Sequence, residues 1–186
     1  MTSDGLPQCE MAASLAAGRH PGLIELVGEI NDHPAGVPAL VMALIAPSFS
    51  TLSGPPSLDS CTRDVYHADF TLSLPAMLGI AEQVASVAAH LHSRGILHGD
   101  LYGHNILWNA QGDCLLGDFG AASFHATADT LQTRALQRIE VRAFGILLGE
   151  LLARIDSLLK LAQAQNQLKE NLEQHVQKHP RQHQSH

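Results

Sequence analysis

Cysteine is scarce in this 186-residue chain: Cys9, Cys61 and Cys114 are scattered, odd in number and form no Cys-x-x-Cys pair. That spacing excludes a disulfide framework and a cysteine-ligated zinc site, and it points to a reducing, cytoplasmic setting. Aromatic residues make up only 4% of the chain, with a single tryptophan, too few for a base-stacking platform. Basic residues are outnumbered, eleven Lys+Arg against eighteen Asp+Glu, for a net charge of −7. This is the wrong sign for tracking nucleic-acid phosphates or for a polybasic membrane surface, so neither partner is expected. Long apolar runs are also lacking, since residues 36–46 are broken by Pro38, and no membrane span is expected. The first twenty residues carry Asp4 and Glu10 and lack the basic-then-apolar order of a secretory leader. What the chain does have is length and 45% hydrophobic content, enough to bury a core and to exclude wholesale disorder.

Residues 9–19 are small and helix-compatible, with Gly18 as the stop. Two apolar runs, 23–30 and 39–45, are separated by Asn31, Asp32, Pro34, Gly36 and Pro38 and read as two strands and a turn. A Ser-, Pro- and Gly-rich connection follows from Pro47 to Phe70, with a helical turn expected near Leu58–Tyr66. Met77, Ile80, Ala81, Val84, Val87, Ala88 and Leu91 then recur at spacings of three and four, between a Ser73/Pro75 start and a Gly95 stop. This pattern predicts a helix with one buried face. Ile106–Trp108 and Cys114–Leu116, joined by Asn109–Asp113, read as a hairpin. A second stripe runs from Phe144 through Leu147, Leu148, Leu151, Leu152 and Ile155 to Leu159, and thins through Leu161, Leu168 and Leu172. The His-rich tail after His175 has ligand-like i, i+4 spacing, but Pro180 interrupts it, so a solvated tail is expected.

The informative stretch is Ile96–Ser123, which places Asp100, Asn105 and Asp118 on loops around the hairpin, directly after a rigid helix. Two carboxylates and an amide offer the hard oxygen ligands that Mg²⁺ prefers, with one carboxylate left to orient a hydroxyl. Phosphoryl transfer asks little more of side chains than positioning and charge neutralisation. The ordinary alternative, that Asp and Asn merely serve turns, is weakened by the linked order of the three. His98 reads as a structural residue of the loop, and His90 and His92, two apart on a helix, point away from a shared metal.

His98-Gly99-Asp100-Leu101-Tyr102-Gly103-His104-Asn105 resembles the protein-kinase catalytic loop H-R-D-L-x-x-x-N, and Asp118-Phe119-Gly120 resembles the D-F-G metal motif. His20–Gly28 is similar to the family's junction between its small-lobe helix and fourth strand. Glu140–Gly145 resembles the start of its central large-lobe helix, with Glu140 where Asp is usual. The resemblance covers residues 9–155 and lies nearest the bacterial kinases attached to leucine-rich repeats. It implies an α+β, protein-kinase-like fold: a mostly helical large lobe with a two-stranded remnant of the small lobe. The expected organisation is 9–45 partial small lobe, 46–160 large lobe, and 161–186 helical extension and tail.

Carried over residue by residue, the resemblance makes Asp100 the base and Asn105 and Asp118 the Mg²⁺ ligands on ATP. Leu107 becomes the adenine floor, Met42 the gatekeeper, and the backbone of Ala43 and Ile45 the hinge contacts; Glu10 lies near the position of the family's helix glutamate. The implied activity is transfer of the ATP γ-phosphate to a protein hydroxyl, in the cytoplasm. The departures point to weak activity. The residues ahead of residue 9 are too few for three strands, a glycine-rich loop and its lysine. Gly99 replaces the catalytic-loop arginine, Tyr102 stands where many members keep a lysine, and the segment after Gly120 is short. Two other readings stay open: a small-molecule kinase of the aminoglycoside or choline type, which shares His-Gly-Asp, and a pseudokinase-like interaction module.

Overall fold

The computed structural model describes residues 6–59, 63–128, 130–155, 162 and 165–170. Helix α1 (Pro7–Ala17) begins with proline, whose fixed φ suits a first turn, and ends at Gly18. It buries Ala13, Ser14 and Ala17. Strands β1 (Leu26–Ile30) and β2 (Ala39–Met42) pair antiparallel, with an irregularity between Leu26 and Gly28. Neither strand has a buried residue: Val27 is 65% exposed, and the following Leu44 is 99% exposed. Two strands on their own cannot bury a face, and this sheet stays wet on its outer side.

The chain then passes through the short β3 (Ser50–Thr51) and an irregular connection to helix α2 (Leu74–Ser93). Of the helical turn expected near Leu58–Tyr66, residues 60–62 lie outside the described set. Val65 instead forms a β-bridge with Gly54. Helix α2 is capped by Ser73, whose hydroxyl accepts the Ala76 N–H; it buries Met77, Ile80, Val84, Val87 and Leu91 as the spacing predicts, adds Ala76, and leaves Ala81 and Ala88 half-buried. Strand β4 (Ile96–Leu97) pairs with β7 (Ser123–Phe124). Between them β5 (Ile106–Trp108) and β6 (Cys114–Leu116) form the predicted hairpin, with β3 on the outer edge of β5. The hairpin turn is tied by Asn109, whose Oδ1 accepts the N–H groups of Gln111 and Asp113 and whose Nδ2 donates to Asp113.

Helix α3 (Leu131–Leu152) starts well before the apolar stripe that announces it, at a Thr130 cap that accepts the Thr133 N–H. Its first half exposes Leu131 and Ile139, so no periodicity marks it, while Leu147 and Leu151 enter the core. The core lies where α2, the hairpin, β4 and α3 meet. Helix α2 is long and apolar enough to cross a bilayer, with a mean hydropathy of 1.2 over 18 residues. A third of that window is buried, in the stripe that packs against the hairpin and α3. Of the stretch from 156 to 186, only residue 162 and the exposed helical residues 165–170 are described. The Leu158–Leu161 stripe and the histidine tail lie outside the described residues. The chain is thus a mixed α+β fold, mostly helical, with a reduced small-lobe sheet.

Candidate active site

Everything in the site hangs on the segment that leaves β4. His98 is 0% exposed, and its Nε2 is 2.8 Å from the Gly117 carbonyl; its Nδ1 accepts the Asp100 N–H at 3.3 Å. With Nδ1 an acceptor, Nε2 carries the proton and donates to Gly117. Burial holds the His98 pKa below its ordinary value, against the opposing Gly117 bond and nearby carboxylates, so the ring is a neutral strut. It ties the segment before Asp100 to the segment before Asp118.

Gly99 adopts φ +80°, and a Cβ there would stand 2.3 Å from the Ala121 carbonyl oxygen. Only glycine fits. Its N–H donates to Glu140 of α3 at 2.9 Å, and the other Glu140 oxygen lies 2.6 Å from His92 Nε2. Burial pushes this carboxyl up, but the hydrogen bonds from His92 and Gly99, with the His92 charge, prevail and hold it below the ordinary carboxylate range. His90, two residues away, reaches the Ala17 carbonyl instead, so the two histidines serve different contacts. Among the described residues no group of three His, Cys, Asp or Glu forms a metal cluster.

Asp100 and Asn105 meet directly. Asn105 Nδ2 donates to the Asp100 carboxylate at 2.7 Å and to its carbonyl at 2.9 Å. The Asn105 carbonyl in turn accepts the Gly117 N–H at 3.0 Å, next to Asp118. Asp118 is exposed, sits at φ +55° and accepts the Gly120 N–H on Oδ1. A left-handed backbone is unusual for a residue other than glycine and is kept here by that turn. Because the Asn105 nitrogen is committed to Asp100, its amide oxygen is turned away from Asp100. That oxygen and the exposed Asp118 carboxylate are both hard oxygen donors, the type of ligand that Mg²⁺ takes.

Ala43 and Ile45, expected as the hinge, line a cavity of about 480 Å³ together with Leu23, Ile24, Glu25 and Leu115. Leu107 is half-buried and is not part of that lining; it pairs across the hairpin with Leu115. A smaller cavity of about 70 Å³ joins Glu10 of α1, Met42 and Asp118. Burial, helped by the Asp118 charge, raises the Glu10 pKa. One site contact that sequence reasoning missed is Asp64, a buried carboxylate bonded to Gly103 and His104 from a loop about forty positions earlier. A lone Asp in a polar connection carries no signal of such a role.

A catalytic loop locked by histidine and asparagine to an Asp-Phe-Gly turn, between a capped core helix and a long helix that buries Leu147 and Leu151, is the large lobe of a kinase-type phosphotransferase. The chain matches the protein kinase domain family over residues 14–139, and it belongs to that family. It is 32% identical over 105 residues to a serine/threonine-protein kinase US3 homologue of bovine herpesvirus 1.2, covering 48% of this chain and 22% of that protein. It is 38% identical over 72 residues to CTD kinase subunit alpha of Schizosaccharomyces pombe, covering 38% of this chain and 12% of the relative. Serine/threonine-protein kinase PrkC of Bacillus subtilis is 26% identical over 161 residues, 76% of this chain and 22% of its own length. The chain therefore spans between about an eighth and a fifth of the length of these relatives.

Proposed function

We propose that this chain carries the phosphate-transfer half of an ATP-dependent protein kinase and that, as it stands, it turns ATP over weakly. The observation that carries this reading is the Asn105–Asp100 hydrogen bond at 2.7 Å, backed by the Gly117–Asn105 bond, which draws the base and the Asp118 turn into one unit. Asp100 orients a protein hydroxyl and accepts its proton as the γ-phosphate transfers. Asn105 and Asp118 would hold Mg²⁺, which neutralises phosphate charge when bound. The Ala43 and Ile45 backbone would meet the adenine edge, with Leu107 as its floor. Weak turnover follows because positioning of the phosphates is the main catalytic resource, and no glycine-rich loop or lysine strand occurs in these 186 residues.

The test is phosphotransfer from ATP to a protein substrate mixture with Mg²⁺, beside calorimetric nucleotide titration. Binding that needs Mg²⁺ and is lost in Asp118→Ala supports the reading; nucleotide binding indifferent to both sinks it. A second reading, an interaction module that keeps the fold without turnover, is favoured by the exposed Met42 and Leu44 at the hinge. It predicts no Mg²⁺-dependent nucleotide binding at all.

A further inference from the structure

Four residues separate Asp100 from Asn105, and all four are gripped from outside their own segment. Arg63 and Asp64 are consecutive in the connection between β3 and α2. Arg63 Nη2 donates to the Leu101 carbonyl at 3.0 Å, and Nη1 reaches the Ala143 carbonyl of α3 at 3.4 Å. Its guanidinium also lies 4.1 Å over the Tyr102 ring. Asp64 takes the other two residues. Its carboxylate, 0% exposed, accepts the N–H groups of Gly103 at 2.9 Å and His104 at 3.0 Å, and His104 Nδ1 at 2.9 Å. Ser53 donates its hydroxyl to the same carboxylate at 2.8 Å.

A carboxylate taken out of water is tolerated only where donors replace the water, and Asp64 has four. The packing around this grip is tight: a Cβ on Gly103 would meet Ser53 Oγ at 2.7 Å and Tyr66 Oη at 2.8 Å. With His104 Nδ1 held by Asp64, His104 Nε2 stands 3.7 Å from Asp100 Oδ2. The grip therefore ends on the carboxylate that the phosphotransfer reading makes the base.

We propose that Arg63 and Asp64 form a two-residue clamp that positions the catalytic loop, fixing how Asp100 faces Asn105. This inference rests on the phosphotransfer reading, and it assigns positioning roles to a connection that reads in sequence as a linker. Arg63 sets the Leu101–Tyr102 half of the loop and ties it to α3. Asp64 sets the Gly103–His104 half and, through His104, the Asp100 side chain. Fixing a reacting group to within a fraction of an ångström is worth large rate factors, so a clamp that touches no substrate still governs rate.

The experiment uses the full chain and four variants: Asp64→Asn, Asp64→Ala, Arg63→Gln and the double variant Arg63→Gln/Asp64→Asn. The first readout does not need activity: the Asn105 carboxamide resonances, shifted by donation to Asp100, and the ring ¹⁵N signals of His104. In Asp64→Asn, the isosteric change, the His104 Nδ1–H signal should be lost and the Asn105 amide should move toward the position of an exposed asparagine, with the melting temperature little changed. The second readout is residual phosphotransfer, expected to fall about a hundredfold in Asp64→Ala with KM for ATP unchanged. The double variant should lose less than the product of the single losses, because both residues hold one loop. An unmoved Asn105 amide in Asp64→Asn overturns the clamp, as does a rate loss that merely follows loss of folded protein. If Asp100→Asn leaves phosphotransfer intact, the phosphotransfer reading itself falls, and the Asn105 and His104 signals still decide whether the clamp exists.

Discussion

Two regions of this molecule have opposite characters. Around the catalytic loop, side chains from the connection after β3 and from α3 converge on residues 98–105, and Ile96, His98 and Ile106 have no measurable exposure. In the β1–β2 sheet, by contrast, every residue is at least partly exposed, and Val27, Ile30, Val41 and Met42 face water. In this chain, then, the loop around Asp100 is held by buried contacts, and the β1–β2 sheet is open to water. Phosphate transfer needs both ends of the reacting pair positioned, so under the proposed function a rigid loop on one side does not make up for an open sheet on the other.

The largest effect should come from repairing the weaker region. A longer chain carrying three further N-terminal strands, with a glycine-rich loop and a lysine, should transfer phosphate about a thousandfold faster than this chain. Asp118→Ala should abolish both the slow turnover of this chain and the faster turnover of the longer one. Robust turnover by the short chain, lost in Asp118→Ala, would instead mean that its own residues build a phosphate clamp.

Stability should divide the two regions next. Ile80→Ala in the core should cost about 2–5 kcal/mol in denaturant unfolding, whereas Leu44→Ala at the exposed hinge should stay within about 0.5 kcal/mol. Equal costs would remove the contrast.

Acid should act through Glu140. Its carboxyl is held below the ordinary range in the folded protein, so its contribution is fully present above the unfolded carboxylate pKa and is lost as pH falls through the lower folded value. Unfolding measured across that acid window should show a steeper decline for the native chain than for Glu140→Gln, and parallel curves would count against the argument. The smallest effect is expected from phosphatase treatment of purified protein. Gly99 puts no guanidinium at position 99 to read a phosphate, and the rate should not change.

Much of the catalytic region was legible because its signals are local. The Asn109–Asp113 turn, the α2 stripe between Ser73 and Gly95, and the order of Asp100, Asn105 and Asp118 each sit within a few residues or a few helical turns. The start of α3 was not legible, since Leu131–Ile139 has helix-forming residues and no buried stripe, and periodicity sees burial rather than helix. The partners of the catalytic loop were hidden for a different reason. Arg63, Asp64 and Glu140 act across about forty positions, and His92 reaches Glu140 across forty-eight. An ionisable residue in a polar stretch looks the same whether it meets water or a buried amide.

The backbone at Gly99 also limits what this chain can become. Residue 99 is where the family usually carries its phosphate-reading arginine, yet here any side chain would start 2.3 Å from the Ala121 oxygen on a left-handed backbone. Restoring the arginine alone would push apart the two segments that His98 ties together. Phosphate-gated control is therefore not one substitution away in this lineage: the segment after Asp118-Phe119-Gly120 would have to shift first, and that intermediate would carry a disrupted catalytic loop with nothing yet gained in return.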